Sequence, residues 1–399
     1  MNTLNLQQIT IQSFPTTSAH ETYLMEVAGR FFEIGKDTAR ILIYFQQNGC
    51  GEEAIEAYVA NTAGKYSKDE IEIFLDNLSK KMDGDKSMPD KRKAFLYNKA
   101  FLPETVINKC SVWLKFLFHR RIMIPSLLLF TVLDILYFVD FQGIGKERLD
   151  MNIYLLAGLF LFFVFSSLFH ELGHASACRY FGVAHGDIGF GLYINIPVFY
   201  TDVSNVWKLP RKQRCIVNIG GVYFQTLLLI PFLIAGVGIE SSLLNYIILI
   251  MNLNFLLTLN PFFRFDGYWM MTDILGVANL RQKGKEWMNY MWKKLLRKET
   301  GKRPYLFSLT KDAKIGLVIY TVVVNLFFGF YFFYALPQFF IQFYQTFPER
   351  FDRLLVELSM RKMPDWMNLQ QIVLQLFFLF FFLYMLYKML VPVIRKWVK

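Results

Sequence analysis

From Ile153 to Phe181 the chain runs 29 residues, IYLLAGLFLFFVFSSLFHELGHASACRYF, in which the only acidic or basic side chains besides histidine are Glu171 and Arg179. As a helix rising 1.5 Å per residue this run is about 43 Å long, more than the roughly 30 Å of bilayer hydrocarbon. A helix satisfies its backbone polar groups internally, which is what crossing lipid demands. Comparable apolar runs lie at 122–140, 215–239, 242–263, 314–336 and 369–394, so six spans are predicted. Hydrophobic residues make up 54% of the chain and aromatic residues 18%, too apolar for an ordinary soluble domain. The predicted fold class is mainly α: a polytopic helical membrane protein of about six spans behind a small α+β domain.

Inside the 29-residue run, His170, Glu171 and His174 spell H-E-x-x-H. Helix positions i and i+4 lie one above the other, so the two imidazoles can share one zinc ion. Glu171, one step round, then faces water that such an ion acidifies to a pKa of about 7, and its carboxylate can pass the proton to a leaving amine. The same string occurs in unrelated helices. At membrane depth, however, each ionisable group costs on the order of 3 kcal/mol, and three on one helix favour a functional site.

Catalytic zinc takes three protein ligands, so one is missing. Of the five histidines, His20 lies in the polar N-terminal region, His119 in a basic flank and His185 beyond the end of the helix. His185 is one candidate. Asp266, in LNPFFRFDGYW, is the other: Pro261 opens the helix, Gly267 permits close approach, and a plain interfacial aspartate beside Arg264 is the alternative.

Charge gives an orientation. Lys115, Arg120 and Arg121 precede the first run, and Gly276 to Lys314 holds eleven Lys or Arg against three acids, so both termini and this loop are predicted to be cytoplasmic. Phe141 to Asp150 and Phe340 to Asn368, balanced in charge, fall to the outer face. No cleavable signal peptide is read in the first hundred residues. The net charge of +11 thus mostly flanks spans, which gives a nucleic-acid surface little support, and Cys50, Cys110, Cys178 and Cys215 lack the spacing of a metal or disulfide framework.

The first hundred residues carry 12 basic and 14 acidic side chains and end in the linker-like KKMDGDKSMPDKRK, Lys80 to Lys93. Thr22 to Val27 and Arg30 to Ile34 alternate about Ala28-Gly29 as a hairpin, and helical patterns follow at about 37–47, 51–63 and 67–81. On pattern alone this unit either recruits something or only aids folding. The string YLMEVAGRFFEIGKDTARILIYFQQNGCGEEAIEAYV resembles the PqqD-like, winged-helix-like elements that bind leader peptides of ribosomally made, modified peptides. That resemblance implies a leader added as a strand along Thr22 to Ile34, with Tyr23, Phe31 and Phe32 as substrate-binding candidates.

His170-Glu171-Leu172-Gly173-His174, followed two spans later by Asn260-Pro261-Phe262-Phe263-Arg264-Phe265-Asp266-Gly267, resembles the paired signatures of site-2 protease-type intramembrane zinc metalloproteases. The tight Asn-Pro spacing and the continuation Tyr268-Trp269-Met270-Met271-Thr272-Asp273 look most like the peptide zinc metalloprotease branch. The resemblance covers about residues 122 to 290. It implies zinc held by His170, His174 and Asp266, Glu171 as general base and Asn260 near the substrate. Where that family has a G-P-x-x-N-like motif this chain has Gly220-Gly221-Val222-Tyr223-Phe224-Gln225, so Gln225 either aligns the substrate or packs. The loop Gly182 to Pro210 alternates at Ile188 to Phe199 and reads as a re-entrant hairpin whose edge could pair with substrate.

The expected organisation is a peptide-binding domain at 1–80, a linker at 81–114, the protease core at 115–290, and a basic loop with two spans at 291–399. The expected function is a bacterial inner-membrane, multi-pass zinc endopeptidase cutting a small leader-bearing precursor near the cytoplasmic face. Its partners would be the precursor, the lipid bilayer and a peptide-modifying enzyme or exporter, with no nucleic acid. The rivals are a non-hydrolytic component of a peptide export or immunity system, a protease acting on a membrane-anchored regulator and, last, a metal transporter using Asp134, Asn218, Asn252 and Asn254.

Overall fold

The computed structural model describes residues 6, 9–27, 29–62, 65–83, 95–140, 153–193, 196–239, 241–299, 301 and 303–397. Three short antiparallel strands open the chain in the order β1 (Thr10–Ser13), β2 (Thr22–Val27), β3 (Arg30–Gly35). Helices α1 (Lys36–Asn48), α2 (Glu52–Asn61) and α3 (Lys68–Asp83) follow where the helical patterns lie. Alternation sends Met25, Val27, Phe32 and Ile34 toward one core with Leu42, Phe45, Ile55 and Ile71. The turn residue Ala28 lies outside the described residues, and Gly29 takes the left-handed φ of 74° that a tight hairpin asks for.

Strand β1 escapes sequence reading because TIQS has a single apolar residue and becomes a strand only through its pairing with β2. That pairing corrects the docking edge expected along Thr22 to Ile34. Strand β2 is hydrogen-bonded on both sides, so Tyr23 sits on the central strand, and of the two hairpin strands only β3, with Phe31 and Phe32, is an edge strand of this sheet.

Most of the linker Lys80 to Lys93 lies outside the described residues. The remainder of 81–114 is no linker: β4 (Phe95–Leu102) and α4 (Glu104–Leu114) occupy it. FLYNKAFL is extended because it pairs with a strand far along the chain, information no local pattern carries. After α5 (Arg120–Asp140) and α6 (Ile153–Tyr180), strands β5 (Ile188–Tyr193) and β6 (Ile196–Thr201) form the hairpin expected in the Gly182 to Pro210 loop. The second sheet has the order β4-β5-β6.

Helices α7 (Arg211–Gly238), α8 (Ser242–Thr258), α9 (Asp266–Leu275), α10 (Leu280–Leu295) and α11 (Lys311–Phe330) follow. A π turn, Tyr331–Ala335, joins α11 to α12 (Leu336–Ser359), and α13 (Trp366–Trp397) ends the described chain. Among the described residues five helical stretches are long and apolar enough to cross a membrane: Arg120–Val139, Tyr154–Tyr180, Arg211–Gly238, Lys311–Ser359 and Trp366–Tyr384. The apolar stretch expected at 242–263 is helical over the 17 residues of α8, about 25 Å, and ends early because the chain turns at Asn260-Pro261.

Helix α7 is the axis of the site, with 50% of its apolar window buried against 6% for α5. It meets α6 at two glycines. A Cβ on Gly220 would lie 3.0 Å from the Gly173 carbonyl oxygen, and one on Gly173 would lie 2.8 Å from the Gly220 carbonyl carbon. Glycines let helix backbones approach where apolar surroundings give helices little other reason to associate.

By its contacts the chain divides into Met1–Val318 and Ile319–Lys399. Within the second unit α12 and α13 run antiparallel, since Phe340 meets Phe382, Gln375 donates to Thr346 and Asn368 donates to the Arg350 carbonyl. The loop expected at Phe340 to Asn368 is therefore helix as far as Ser359, with Phe339, Phe343, Phe347 and Phe351 stacked at i, i+4 spacing.

Within the first unit the N-terminal sheet sits on the loops that precede α7 and α11. Lys208 pairs with Glu26 at 3.0 Å and lies 5.7 Å from the Phe31 ring centre. Tyr305 donates to Glu33 at 3.3 Å; burial and that carboxylate push its hydroxyl up to about 12, so it keeps its proton at neutral pH.

Candidate metal centre

His170 and His174 are one turn apart on α6 and Asp266 is the first residue of α9. The His170 and His174 Nε2 atoms lie 3.1 Å apart, and Asp266 Oδ2 is 3.0 Å from the first and 3.2 Å from the second. These residues form the one His, Cys and carboxylate cluster among the described residues that could hold a metal.

The ring protons follow from the other nitrogens. His174 Nδ1 lies 2.7 Å from the Val217 carbonyl oxygen, and His170 Nδ1 lies 3.1 Å from Gln225 Oε1. Both partners are acceptors. Gln225 is oriented by its own neighbours, since its Nε2 donates to Ser166 Oγ at 3.0 Å and its Oε1 accepts from Asn254 Nδ2 at 3.3 Å. With Nδ1 protonated in each ring, both Nε2 atoms present lone pairs.

Two lone pairs and a carboxylate oxygen then converge with no donor between them, and Asp266 Oδ2 is buried without a hydrogen bond. Such an array is repulsive unless a cation occupies it. The spacing fits zinc: bonds of 2.0–2.1 Å in a tetrahedron set ligand atoms about 3.3 Å apart. His170 and His174 are 9% and 6% exposed, so water competes little for them.

Glu171 is 7% exposed, and Thr201 Oγ1 at the end of β6 lies 2.8 Å from its Oε2 and 3.1 Å from its backbone oxygen. The general-base candidate is thereby fixed to the last residue of an outer strand. Gly221 closes the site from α7, where a Cβ would lie 2.5 Å from His170 Cε1 and 2.6 Å from Cδ2.

His170, Glu171, His174 and Asp266 are thus brought together as the paired motifs imply. The other expectations change. His185 is buried against Ser111 Oγ at 3.2 Å, away from the cluster. Gln225, left open between aligning substrate and packing, spends its amide on His170, Ser166 and Asn254. Asn260 accepts from the Phe262 amide at 2.8 Å and so builds the turn into α9. Tyr23, Phe31 and Phe32 belong to the N-terminal sheet and contribute nothing to the metal cluster. Sequence reasoning missed Thr201, Ser166 and the contact of Gly221 with His170. Only Gly221, beside the quoted Gly220, carried any signal.

The polar residues in other spans pair locally. Asn252 donates to Asp134 at 2.9 Å, Tyr137 to Asn245 at 3.0 Å and Asn218 to Asp273 at 2.7 Å.

No family model matches the chain, and no solved structure does. The chain is similar to the protein named "Putative peptide zinc metalloprotease protein YydH" of Bacillus subtilis (strain 168), with 27% identity over 131 residues. That stretch is 32% of this chain, and the chain spans about half, 52%, of the curated relative it matches.

Proposed function

We propose that the chain is a membrane-embedded zinc endopeptidase that cleaves a small leader-bearing precursor peptide near the cytoplasmic face of a bacterial inner membrane, with both termini on that side. One observation carries the reading: His170, His174 and Asp266 bring three potential metal-ligating atoms within 4.8 Å of one another, one residue from Glu171. The name of the distant relative supports a metallopeptidase.

Zinc bound by His170, His174 and Asp266 would supply a Lewis acid that polarises a carbonyl and acidifies water. Glu171 takes the proton of the attacking water and returns it to the leaving amine. The Thr201 hydroxyl holds the carboxylate in place during both transfers. Strand β6 pairs on one side only among the described residues, so an extended substrate can add to its other side next to Glu171. The N-terminal sheet receives the leader along the outer edge of β3, an edge strand of the sheet among the described residues.

The test is Glu171→Gln in the detergent-purified full chain, compared with the wild type on a library of quenched-fluorescent peptides. Zinc content should stay at about one per chain while cleavage falls at least ~10²-fold, the usual scale for a general acid/base group. Near-normal cleavage would end the protease reading and favour the non-hydrolytic exporter component.

A further inference from the structure

Helix α9 carries two aspartates seven residues apart, two helical turns, so both lie on one face. Asp266 reaches the histidines of α6. Asp273 reaches α7: its Oδ1 accepts from Arg214 Nε at 2.6 Å and its Oδ2 from Asn218 Nδ2 at 2.7 Å. The Arg214 and Asp273 side chains are only 5% and 7% exposed. One turn below Arg214, Arg211 Nε donates to the Asp273 carbonyl at 2.9 Å and its Nη2 donates to the Ile274 carbonyl. Gly276, at φ +63°, closes the helix against that guanidinium, where a Cβ would lie 2.6 Å from Arg211 Cζ.

The other face of Arg214 is covered from the N-terminal region. Its guanidinium carbon lies 4.9 Å from the Phe14 ring centre and 5.2 Å from that of Trp207, and Phe14 is 4% exposed. Beyond Phe14 the segment grips the end of α9 directly. Thr17 donates from Oγ1 to the Leu275 carbonyl at 2.7 Å and from its amide to the Gly276 carbonyl at 3.4 Å. It is held in turn by the loop before α11, where Thr310 donates to the Thr17 carbonyl at 2.9 Å and Ser18 bridges Leu309.

A ten-residue helix has little stability of its own, so contacts decide where α9 sits. We propose that Phe14, Arg214 and Asp273 form a pin that holds α9 in register with α7 and so sets the position of the Asp266 carboxylate. Phe14 and Thr17 are then positioning residues for the metal centre, and the N-terminal segment belongs to its frame as well as to peptide capture. The proposal rests on the metal-centre reading above. It also reverses one expectation of a freely tethered receptor domain: removing the N-terminal region weakens metal binding as well as raising KM for the precursor.

Cobalt(II) titration of the chelator-stripped full chain in detergent tests this, with the visible cobalt spectrum reporting ligand geometry and far-ultraviolet circular dichroism reporting fold. Phe14→Ala and Thr17→Val should each keep helical content, raise the cobalt Kd by about 10-fold or more, the scale of outer-shell changes at metal sites, and alter the spectrum. Thr17→Val removes only one hydroxyl, so it decides the matter even where Phe14→Ala does not fold. Wild-type cobalt affinity and spectrum in folded Thr17→Val and Phe14→Ala would overturn the pin while leaving the metal centre standing. A wild-type chain that binds no cobalt would overturn both.

Discussion

Gly221→Ala places one methyl group against the metal centre, and the structure says how much room it has. The new Cβ would sit 2.5 Å from His170 Cε1 and 2.6 Å from Cδ2, and closer still to Nε2. Carbon atoms in ordinary contact stand about 3.5–4.0 Å apart, so the ring must retreat by about 1 Å. It cannot swing away freely, because Nδ1 is tied to Gln225 at 3.1 Å and the backbone is packed inside α6. Metal sites hold ligand distances to about ±0.2 Å, so a retreat of this size removes His170 from the ligand set. We expect zinc affinity to fall at least ~10²-fold, or about 2.7 kcal/mol, at or above the top of the range for outer-shell changes.

Fold and function should separate in this variant, since alanine favours a helix interior over glycine by about 1 kcal/mol. Gly158→Ala in α6, where nothing lies within 4 Å of the added methyl, is the matched control. Zinc by equilibrium dialysis, with circular dichroism on the same samples, gives the comparison. Gly221→Ala should fold like Gly158→Ala and lose metal that Gly158→Ala retains. Full zinc binding by Gly221→Ala would refute the position of His170 and its role as a ligand.

Asp266→Ala should release zinc while His185→Ala retains it, as measured by metal analysis after gel filtration; the reverse would promote His185. Gln225→Leu removes the acceptor that holds the His170 proton at Nδ1, and should weaken zinc binding about 10–100-fold without unfolding the chain. Unchanged zinc affinity in that variant would return Gln225 to a packing or substrate role. A reporter active only outside the cytoplasm should be silent when fused after Lys298 and active after Arg361, in the turn that ends α12; the opposite pattern would invert the topology.

The strongly periodic parts of the chain were legible. Strands β2 and β3 and helices α1 to α3 lie within a residue or two of where alternation and helical period put them, and the histidines of H-E-x-x-H lie with Asp266 in the one group of His, Cys and acidic residues among the described residues that could hold a metal. What escaped is pairing at a distance. TIQS and FLYNKAFL become strands only against partners elsewhere, and α4 is fixed by Asp187, which accepts from the Glu104 amide at 2.7 Å across the β5 sheet. The contact of Gln225 escaped for a related reason: sequence left it open between aligning substrate and packing, and its side chain meets the His170 imidazole.

The early end of α8 also explains why the second motif has the residues it has. Read as a break at the end of a span, Asn260-Pro261 leaves Asp266 stranded at an interface. In the fold it begins a return. Asn260 Oδ1 accepts from the Phe262 amide and shapes the turn, while Pro261 forbids the helix from continuing. Gly267 then passes so near Leu259 that a Cβ would lie 2.9 Å from its Cα, a contact only glycine allows. Because the chain doubles back this tightly, Asp266 is the first residue of a new helix, where the macrodipole favours a carboxylate by about 0.3–1 kcal/mol. The same return sends the rest of α9 along α7, so that Asp273 meets Arg214. Asn, Pro, Asp and Gly therefore do four different jobs in one turn, and each would fail differently: loss of the turn, continuation of the helix, loss of the ligand, or loss of the close approach.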